Sequence, residues 1–219
     1  MTRILFALCL ALVATPPAHG CETALVLAID ISGSIDAGEY ALQVQGLAEA
    51  LAAPEVASAL VQGQAALAVV QWSGAGQQAL VLPWARMHGP AEVAAFAQAA
   101  RRLPRVFAAS DTAVGQALDF AIAQFDAVPD CGHQVIDISG DGPENAGFNV
   151  AQARRVAERA GITINAIAIE DMGQSSPISA FYRRQVVTRG GFVMMARGLG
   201  AYPAAIRAKL LRELVRPTG

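Results

Sequence analysis

The 219-residue chain is poor in charge and in aromatic side chains: charged residues make up 16% of it, and Phe, Trp and Tyr together 6%. It contains no run of Lys or Arg, and its formal net charge is -2. The electrostatic footprint of a nucleic-acid binder is therefore missing, and no nucleic-acid partner is expected. Histidine and cysteine are scarce at three each; His88 and His133 stand alone, and no spacing suits a soft-ligand metal site. A nucleophile elbow, a phosphate-cradling loop and a dinucleotide fingerprint are all absent. No general base lies beside a nucleophile, so no catalytic residues are assigned and an enzyme is not expected. No apolar run reaches the ~18 residues of a spanning helix. Internal repeats, linkers and low-complexity stretches are missing too. What the chain has in quantity is apolar bulk. Hydrophobic residues reach 54%, much of it alanine, which favours helices around a sizeable core.

The first twenty residues have the layout of a secretory signal. Arg3 supplies the positive start, Ile4 to Ala14 the apolar run, Pro16 and Pro17 the break, and Ala18-His19-Gly20 small cleavage-site residues. Residues 1–20 are thus expected to be a signal peptide and 21–219 one domain, exported to the periplasm or beyond as a monomer. Cys9 leaves with the signal. Three fates stay open for Cys21: a disulfide with Cys131, a lipid-modified N-terminus, or a free thiol.

Strand and helix signals alternate along the rest. Thr23 to Ile29 is a continuous apolar run ending at Asp30, the pattern of a fully buried parallel strand. Asp36, with Glu39 three residues on, forms a capping box for a helix to Ala53, stopped by Pro54. Strands are expected at Ala65–Trp72 and Ala79–Trp84, an antiparallel pair joined by a short Gly/Gln link. Further strands are expected at Gln134–Ser139, Ile162–Ile169 and Phe192–Ala196. Helices are expected at Pro90–Arg102, Thr112–Ala127, Val150–Ala160, Ser179–Arg189 and Tyr202–Val215. The last presents Ile206, Leu210, Leu211 and Leu214 on one face. The pattern predicts an α/β fold: a doubly wound, mostly parallel six-stranded sheet with one antiparallel edge strand and helices on both faces. In such sheets ligands bind beyond the carboxyl ends of the strands, where strand order reverses.

Those ends carry oxygen ligands. Asp30-Ile31-Ser32-Gly33-Ser34 follows the first strand, Thr112 opens a helix after Asp111, and Ser139-Gly140-Asp141-Gly142 closes the fourth strand. One carboxylate and two hydroxyls lie on a tight turn that Gly33 lets curl. Such hard oxygens suit Mg²⁺ or a similar ion. If strands one and four are neighbours, Asp30 and Asp141 face one ion and Thr112 closes a third side.

Asp30, Ser32, Ser34, Thr112 and Asp141, in this order and spacing, resemble the metal-ion-dependent adhesion site of von Willebrand factor A domains. The likeness extends from about Thr23 to Leu214, and the chain is similar to short exported bacterial members without assigned function. The resemblance implies a six-coordinate Mg²⁺ or Mn²⁺ whose open position takes a carboxylate from a partner protein. One departure is visible: Ser-Gly-Asp-Gly stands where many members have Thr-Asp-Gly.

Three readings of the site follow. The first is a metal-dependent protein-binding module whose partner offers an exposed Asp or Glu carboxylate. The second is a metal-dependent hydrolase, for which Glu144 is the one acid–base candidate. The third is a structural domain with a vestigial site. At the level of single residues, Asp30, Ser32 and Ser34 also fit a plain capping turn, Thr112 a helix start, and Asp111 a helix cap. Glu144, Asn145, Glu170 and Asp171 read as an acidic rim, Asp137 as a buried hydrogen-bonded carboxylate, and Trp72 and Trp84 as packing residues. Cys21 and Cys131 precede strands one and four, so neighbouring strands would place both at the edge opposite the metal, within disulfide reach.

Overall fold

The computed structural model describes residues 20–108, 110–170 and 177–215. The expected signal segment up to residue 19, and Asp171, lie outside the described residues. Strand β1 (Cys21–Asp30) is buried along nearly its whole length, as its unbroken apolar run requires. The capping box forms: Glu39 N–H donates to Asp36 Oδ1 at 2.8 Å, and Asp36 N–H to Glu39 Oε2 at 2.8 Å, opening α1 (Ala37–Ala52). Pro54 does end α1, but it also starts a second helix, α2 (Pro54–Gln62), which the sequence reading lacks. Proline is tolerated in a first helical turn, so one residue serves as stop and start.

Strands β2 (Ala66–Trp72) and β3 (Gln78–Arg86) pair antiparallel, with register shifts between Leu67 and Val70. Pro83 lies on this edge strand, where a missing N–H is tolerated. Helix α3 (Pro90–Arg101) follows, then α4 (Val114–Ala123) with a 3-10 turn at Gln124–Ala127. The remainder is β4 (Cys131–Gly140), α5 (Val150–Ala160), β5 (Thr163–Glu170), α6 (Ile178–Phe181), β6 (Val193–Arg197) and α7 (Tyr202–Leu214). Helix α6 runs into a π-helical turn at Tyr182–Val186, shorter than the helix expected to Arg189.

The sheet order is β3-β2-β1-β4-β5-β6, parallel except for β3. Side chains alternate across β1. Leu25, Leu27 and Ile29 join the core under α1, α2, α3 and α7, while Ala24, Val26 and Ala28 join the core under α4, α5 and α6. Trp72 is fully buried; Trp84 is half-buried, its Nε1 donating to the Gln124 carbonyl at 2.8 Å. Helix α7 differs from expectation in its inner face, where Lys209 and Glu213 are buried beside Ile206 and Leu210. Lys209 Nζ lies 2.6 Å from both Asp137 Oδ1 and Glu213 Oε1, and Asn165 Nδ2 donates to Glu213 Oε1 at 2.8 Å. Asp137 is thus the buried, paired carboxylate its phase in β4 predicts.

At the amino-terminal edge Cys21 is in register with Cys131, and the two are disulfide-bonded with Cα atoms 4.5 Å apart. The topological expectation holds, with Cys21 Sγ bonded to Cys131.

Candidate metal centre

β1 and β4 are the two central strands, and strand order runs outward in opposite directions from them. Their carboxyl ends form the crevice where such sheets bind ligands. Asp30, the last residue of β1, is completely buried. Its Oδ1 accepts the Ser32 N–H at 2.7 Å, which curls the turn so that Ser32 and Ser34 bring their hydroxyls 3.3 Å apart. Ser34 Oγ donates to Asp141 Oδ1 at 2.7 Å, joining this turn to the end of β4.

Thr112 arrives from a third segment. Its N–H donates to Asn145 Oδ1 at 2.7 Å, and its carbonyl accepts the N–H groups of Asn145 and Ala146 at 3.0 and 3.3 Å. The residue is therefore stapled to the loop that carries Asp141. Its hydroxyl faces Gly142, where an added Cβ would stand 3.9 Å away. The Asp30 turn and the end of β4 thus meet through the Ser34 hydroxyl, and Thr112 is tied by its backbone to the loop that follows Asp141.

The electrostatics match an oxygen cage for a cation. Burial, and then the Asp141 carboxylate, push Asp30 up to about 7, against the Ser32 hydrogen bonds and the Asp141 backbone N–H. Asp30 Oδ2 is buried with no hydrogen-bond partner among the described residues. Two carboxylates crowded this way, one with an unsatisfied buried oxygen, fit a hard divalent ion. The rest of the donor set is hydroxyl. Among the described residues no group of three or more His, Cys, Asp or Glu side chains gathers to ligate a metal. Mg²⁺ or Mn²⁺, which accept oxygen ligands, suit these residues better than a soft ion.

Several supporting residues are invisible in the sequence pattern. Arg105 reaches across the D-x-S-x-S turn and donates to the carbonyls of Ile31, Ser32 and Ile35 at 2.6, 2.8 and 2.8 Å. Gln71 holds the Arg105 segment in turn, accepting the Val106 N–H at 3.0 Å and donating to the Pro104 carbonyl at 3.0 Å. Ser110 accepts the Gly33 N–H on its carbonyl at 2.7 Å. A lone arginine between loop residues carries no spacing signal linking it to a turn some seventy positions earlier. Tyr182 was also missed: it is fully buried, and burial together with the charges of Asp30 and Asp141 pushes its hydroxyl well above the usual range.

The residues of the expected rim carry hydrogen bonds that the sequence does not reveal. Glu144 accepts the N–H of Gly115 at 2.8 Å and of Val150 at 3.3 Å, so it ties together the starts of α4 and α5. Asn145 is spent on Thr112, and Glu170 accepts the Ser179 N–H at 2.5 Å. These groups accept backbone N–H bonds, Asn145 while remaining exposed to solvent, and those of Glu144 and Glu170 go to N–H groups at helix starts. Asp111 is exposed and caps no helix: α4 begins three residues later, after Ala113, whose N–H is bound to the Ser73 carbonyl at 2.9 Å. The Ser-Gly-Asp-Gly departure has a physical basis. A side chain at position 140 would collide with the Tyr182 hydroxyl and stand 3.0 Å from Asp30 Oδ2.

A family model described as "Protein of unknown function (DUF1194)" matches residues 20–218. None of the curated proteins matches the chain. Among solved structures, the fold is similar to a von Willebrand factor type A protein from Catenulispora acidiphila, with a TM-score of 0.65 and 21% identity over 89% of this chain and 43% of that one. It is also similar to proximal thread matrix protein 1 from the mussel byssus with a zinc-occupied MIDAS motif, with a TM-score of 0.61 and 15% identity over 87% of this chain and 46% of that one. A third similar structure is the von Willebrand factor domain of the type V pili tip protein Mfa5 from Porphyromonas gingivalis, with a TM-score of 0.59 and 12% identity over 92% of this chain and 99% of that one. The chain thus spans less than half the length of the first two and nearly all of the third. At these identities the likeness shows the von Willebrand factor A fold.

Proposed function

Because the chain belongs to the DUF1194 family, whose description assigns no activity, we propose from the geometry that it is an exported, metal-dependent protein-binding module. Asp30, Ser32, Ser34, Thr112 and Asp141 would hold one Mg²⁺ or Mn²⁺ at the carboxyl ends of β1 and β4. The observation that carries this reading is the 2.7 Å contact from Ser34 to Asp141, which makes two sequence-distant turns one oxygen cluster. Bound there, the ion would act as an electrophile for an acidic ligand. Two carboxylates and three neutral hydroxyls do not over-neutralise a divalent charge, so an Asp or Glu of a partner can complete the shell. The zinc-occupied motif of the mussel protein supports a cation at this place in the fold. The pilus-tip relative supports an adhesive use.

No catalytic step enters the proposal. Glu144, the acid–base candidate of the hydrolase reading, spends both carboxylate oxygens on backbone N–H groups. Export is supported by the Cys21–Cys131 bond, which needs an oxidising compartment. No helix among the described residues is long and apolar enough to cross a membrane.

Isothermal calorimetry with Mg²⁺ and Mn²⁺ tests the site. One ion per chain is expected, with binding abolished in Asp141→Ala. Affinity in Asp30→Ala or Asp141→Ala equal to that of the parent protein would remove the assignment. The adhesive half is tested by capture from cell-envelope extract in Mg²⁺ and in chelator, where a partner retained in both would argue against an ion-mediated contact.

A further inference from the structure

Charge is unevenly divided along the chain. From Cys21 to Asn149, fourteen Asp and Glu stand against four Lys and Arg; from Val150 to Val215, four Asp and Glu stand against ten Lys and Arg. Such asymmetry between two parts of one chain points to a partner of opposite sign. The fold gathers much of the surplus on one flank. In α5, Val150, Ala153 and Ala157 are buried, so Arg155 and Arg159, four positions apart, share the exposed side. In the π-helical turn Tyr182–Val186, the two end residues are buried, and Arg183 and Arg184 are exposed between them. Arg154 Nη1 donates to the Arg184 carbonyl at 2.8 Å, and the Arg189 N–H donates to Glu158 Oε1 at 3.4 Å, which fixes the two segments side by side.

These arginines are not neutralised from within. Among the described residues no carboxylate lies in ion-pair range of Arg155, Arg159, Arg183, Arg184 or Arg189. Glu158 lies 4.0 Å from Arg154 Nε. Asp119, on the α4 side of α5, accepts from Asn149 Nδ2 at 2.6 Å. Glu170 is bound to the Ser179 N–H, and Glu213 is buried with Lys209. Like charges held this close repel one another, which costs stability and returns nothing inside the fold.

We propose that the Arg155–Arg159 side of α5 and the Arg183–Arg189 segment form a docking face for an anionic phospholipid surface. Guanidinium forks bind phosphate oxygens bidentately, and forks spread over two neighbouring segments match a plane of headgroup phosphates. The large exposed hydrophobic residues, Leu42, Val106, Phe148, Met195 and Val215, lie on other segments. The face therefore has no aromatic platform for stacking bases and no apolar side chain to sink among lipid tails, so contact is electrostatic and reversible. It is independent of the cation reading, because none of the five oxygen ligands belongs to it. The flank covers a face of the sheet, whereas Asp30 and Asp141 lie at the carboxyl ends of the strands, so docking leaves that end open.

The test uses the protein as recovered after export, in chelator, with vesicles of phosphatidylglycerol and phosphatidylcholine in equal parts and of phosphatidylcholine alone. Co-sedimentation at low salt should show binding to the anionic vesicles only. Raising salt to about 1 M, where the screening length is about 3 Å, should release the protein. Arg155→Gln combined with Arg184→Gln should weaken partitioning about 25-fold, at about fivefold per arginine removed. Arg101→Gln combined with Arg102→Gln removes the same charge from exposed positions at the end of α3, in the opposite helix layer, and should bind like the parent. All of these positions are exposed, so both double variants should melt with the parent. Equal binding to the two kinds of vesicle, undiminished binding in Arg155→Gln/Arg184→Gln, or equal losses in the two double variants overturns the proposal. Tighter binding to poly-glutamate or to a DNA oligonucleotide than to the anionic vesicles, lost in Arg155→Gln/Arg184→Gln, gives the face to another polyanion and overturns it as well.

Discussion

Arg105 donates to the carbonyl of Ser32 at 2.8 Å, and through the same guanidinium to Ile31 and Ile35, so a loop 70 to 74 positions away holds the first ligand turn in shape. The fork geometry matters, because one point charge cannot reach all three carbonyls. We expect Arg105→Met to weaken Mg²⁺ affinity by about tenfold and to destabilise the fold by about 2 kcal/mol. Arg105→Lys should recover only part of either effect. Calorimetry and urea denaturation read the two separately; full affinity in Arg105→Met would show that the turn keeps its form unaided.

Gly140 gives a second prediction. Adding a methyl group there forces the Tyr182 tip and the Asp30 carboxylate apart. Gly140→Ala should cost about 1–3 kcal/mol in urea denaturation, the usual range for overpacking. Gly142→Ala is the matched control, because its nearest neighbour, Thr112 Oγ1, stands 3.9 Å from the added atom. Similar losses in the two variants would contradict the packing described here.

The disulfide spans 110 residues and clasps the amino-terminal ends of β1 and β4. Closing a loop of roughly a hundred residues is worth about 2–5 kcal/mol. Reductant should lower the urea midpoint of the parent protein accordingly and leave Cys21→Ser unaffected. Cation affinity should survive reduction while the protein stays folded, because Asp30 and Asp141 lie at the other end of the same strands. Thiol titration of the unreduced protein that finds Cys21 and Cys131 free would refute the pairing.

The buried network under α7 sets a pH dependence. Burial pushes Asp137 up to about 7 against the pull of the Lys209 ammonium, which Glu213 shares. The folded state therefore keeps a proton that the unfolded chain releases near pH 4. The stabilising contribution is complete below about pH 4, falls as pH rises to about 7, and is constant above that. Asp137→Asn should flatten this part of the stability profile relative to the parent. Asp30 is raised in the same direction in both proteins and cancels in the comparison. Parallel profiles from pH 4 to 8 would sink the assignment. Lys209→Met, which strands two buried carboxylates, should cost about 3–5 kcal/mol.

Much of this arrangement is legible before any coordinates. The run from Thr23 to Ile29 has no polar interruption, so it must be buried on both faces, and a strand like that belongs at the centre of a parallel sheet. The Asp36–Glu39 capping box and the Gly161 stop are local devices that act over four or five residues, and both form as written. The D-x-S-x-S turn is equally local, since Asp30 accepts from a residue two positions on. Placing the cysteines before strands one and four was enough to foresee their bond once those strands were taken as neighbours.

The misreadings share a cause. Pro54 reads as a stop in the sequence, although the same chemistry suits a helix start. Asp111 reads as a cap because cap signals are local, yet the N–H groups near it are bound by Ser73 and Asn145 from other loops. Lys209 and Glu213 look like solvent-facing charges on an amphipathic helix; only the docking of α7 over Asp137 and Asn165 makes them a buried set.

Local patterning by itself determined the alternation of strands and helices, the buried character of the central strands and the choice of the five oxygen-bearing side chains proposed as ligands. Hydrophobic periodicity and caps act within a turn or two of the chain, and sequence records them directly. Tertiary structure alone decided that Arg105 braces the Asp30–Ser34 turn, that Gly140 faces Tyr182 and Asp30, and that a lysine lies beneath the sheet. Those roles depend on which distant segments the closed sheet brings within hydrogen-bond length, and no interval along the chain encodes that distance.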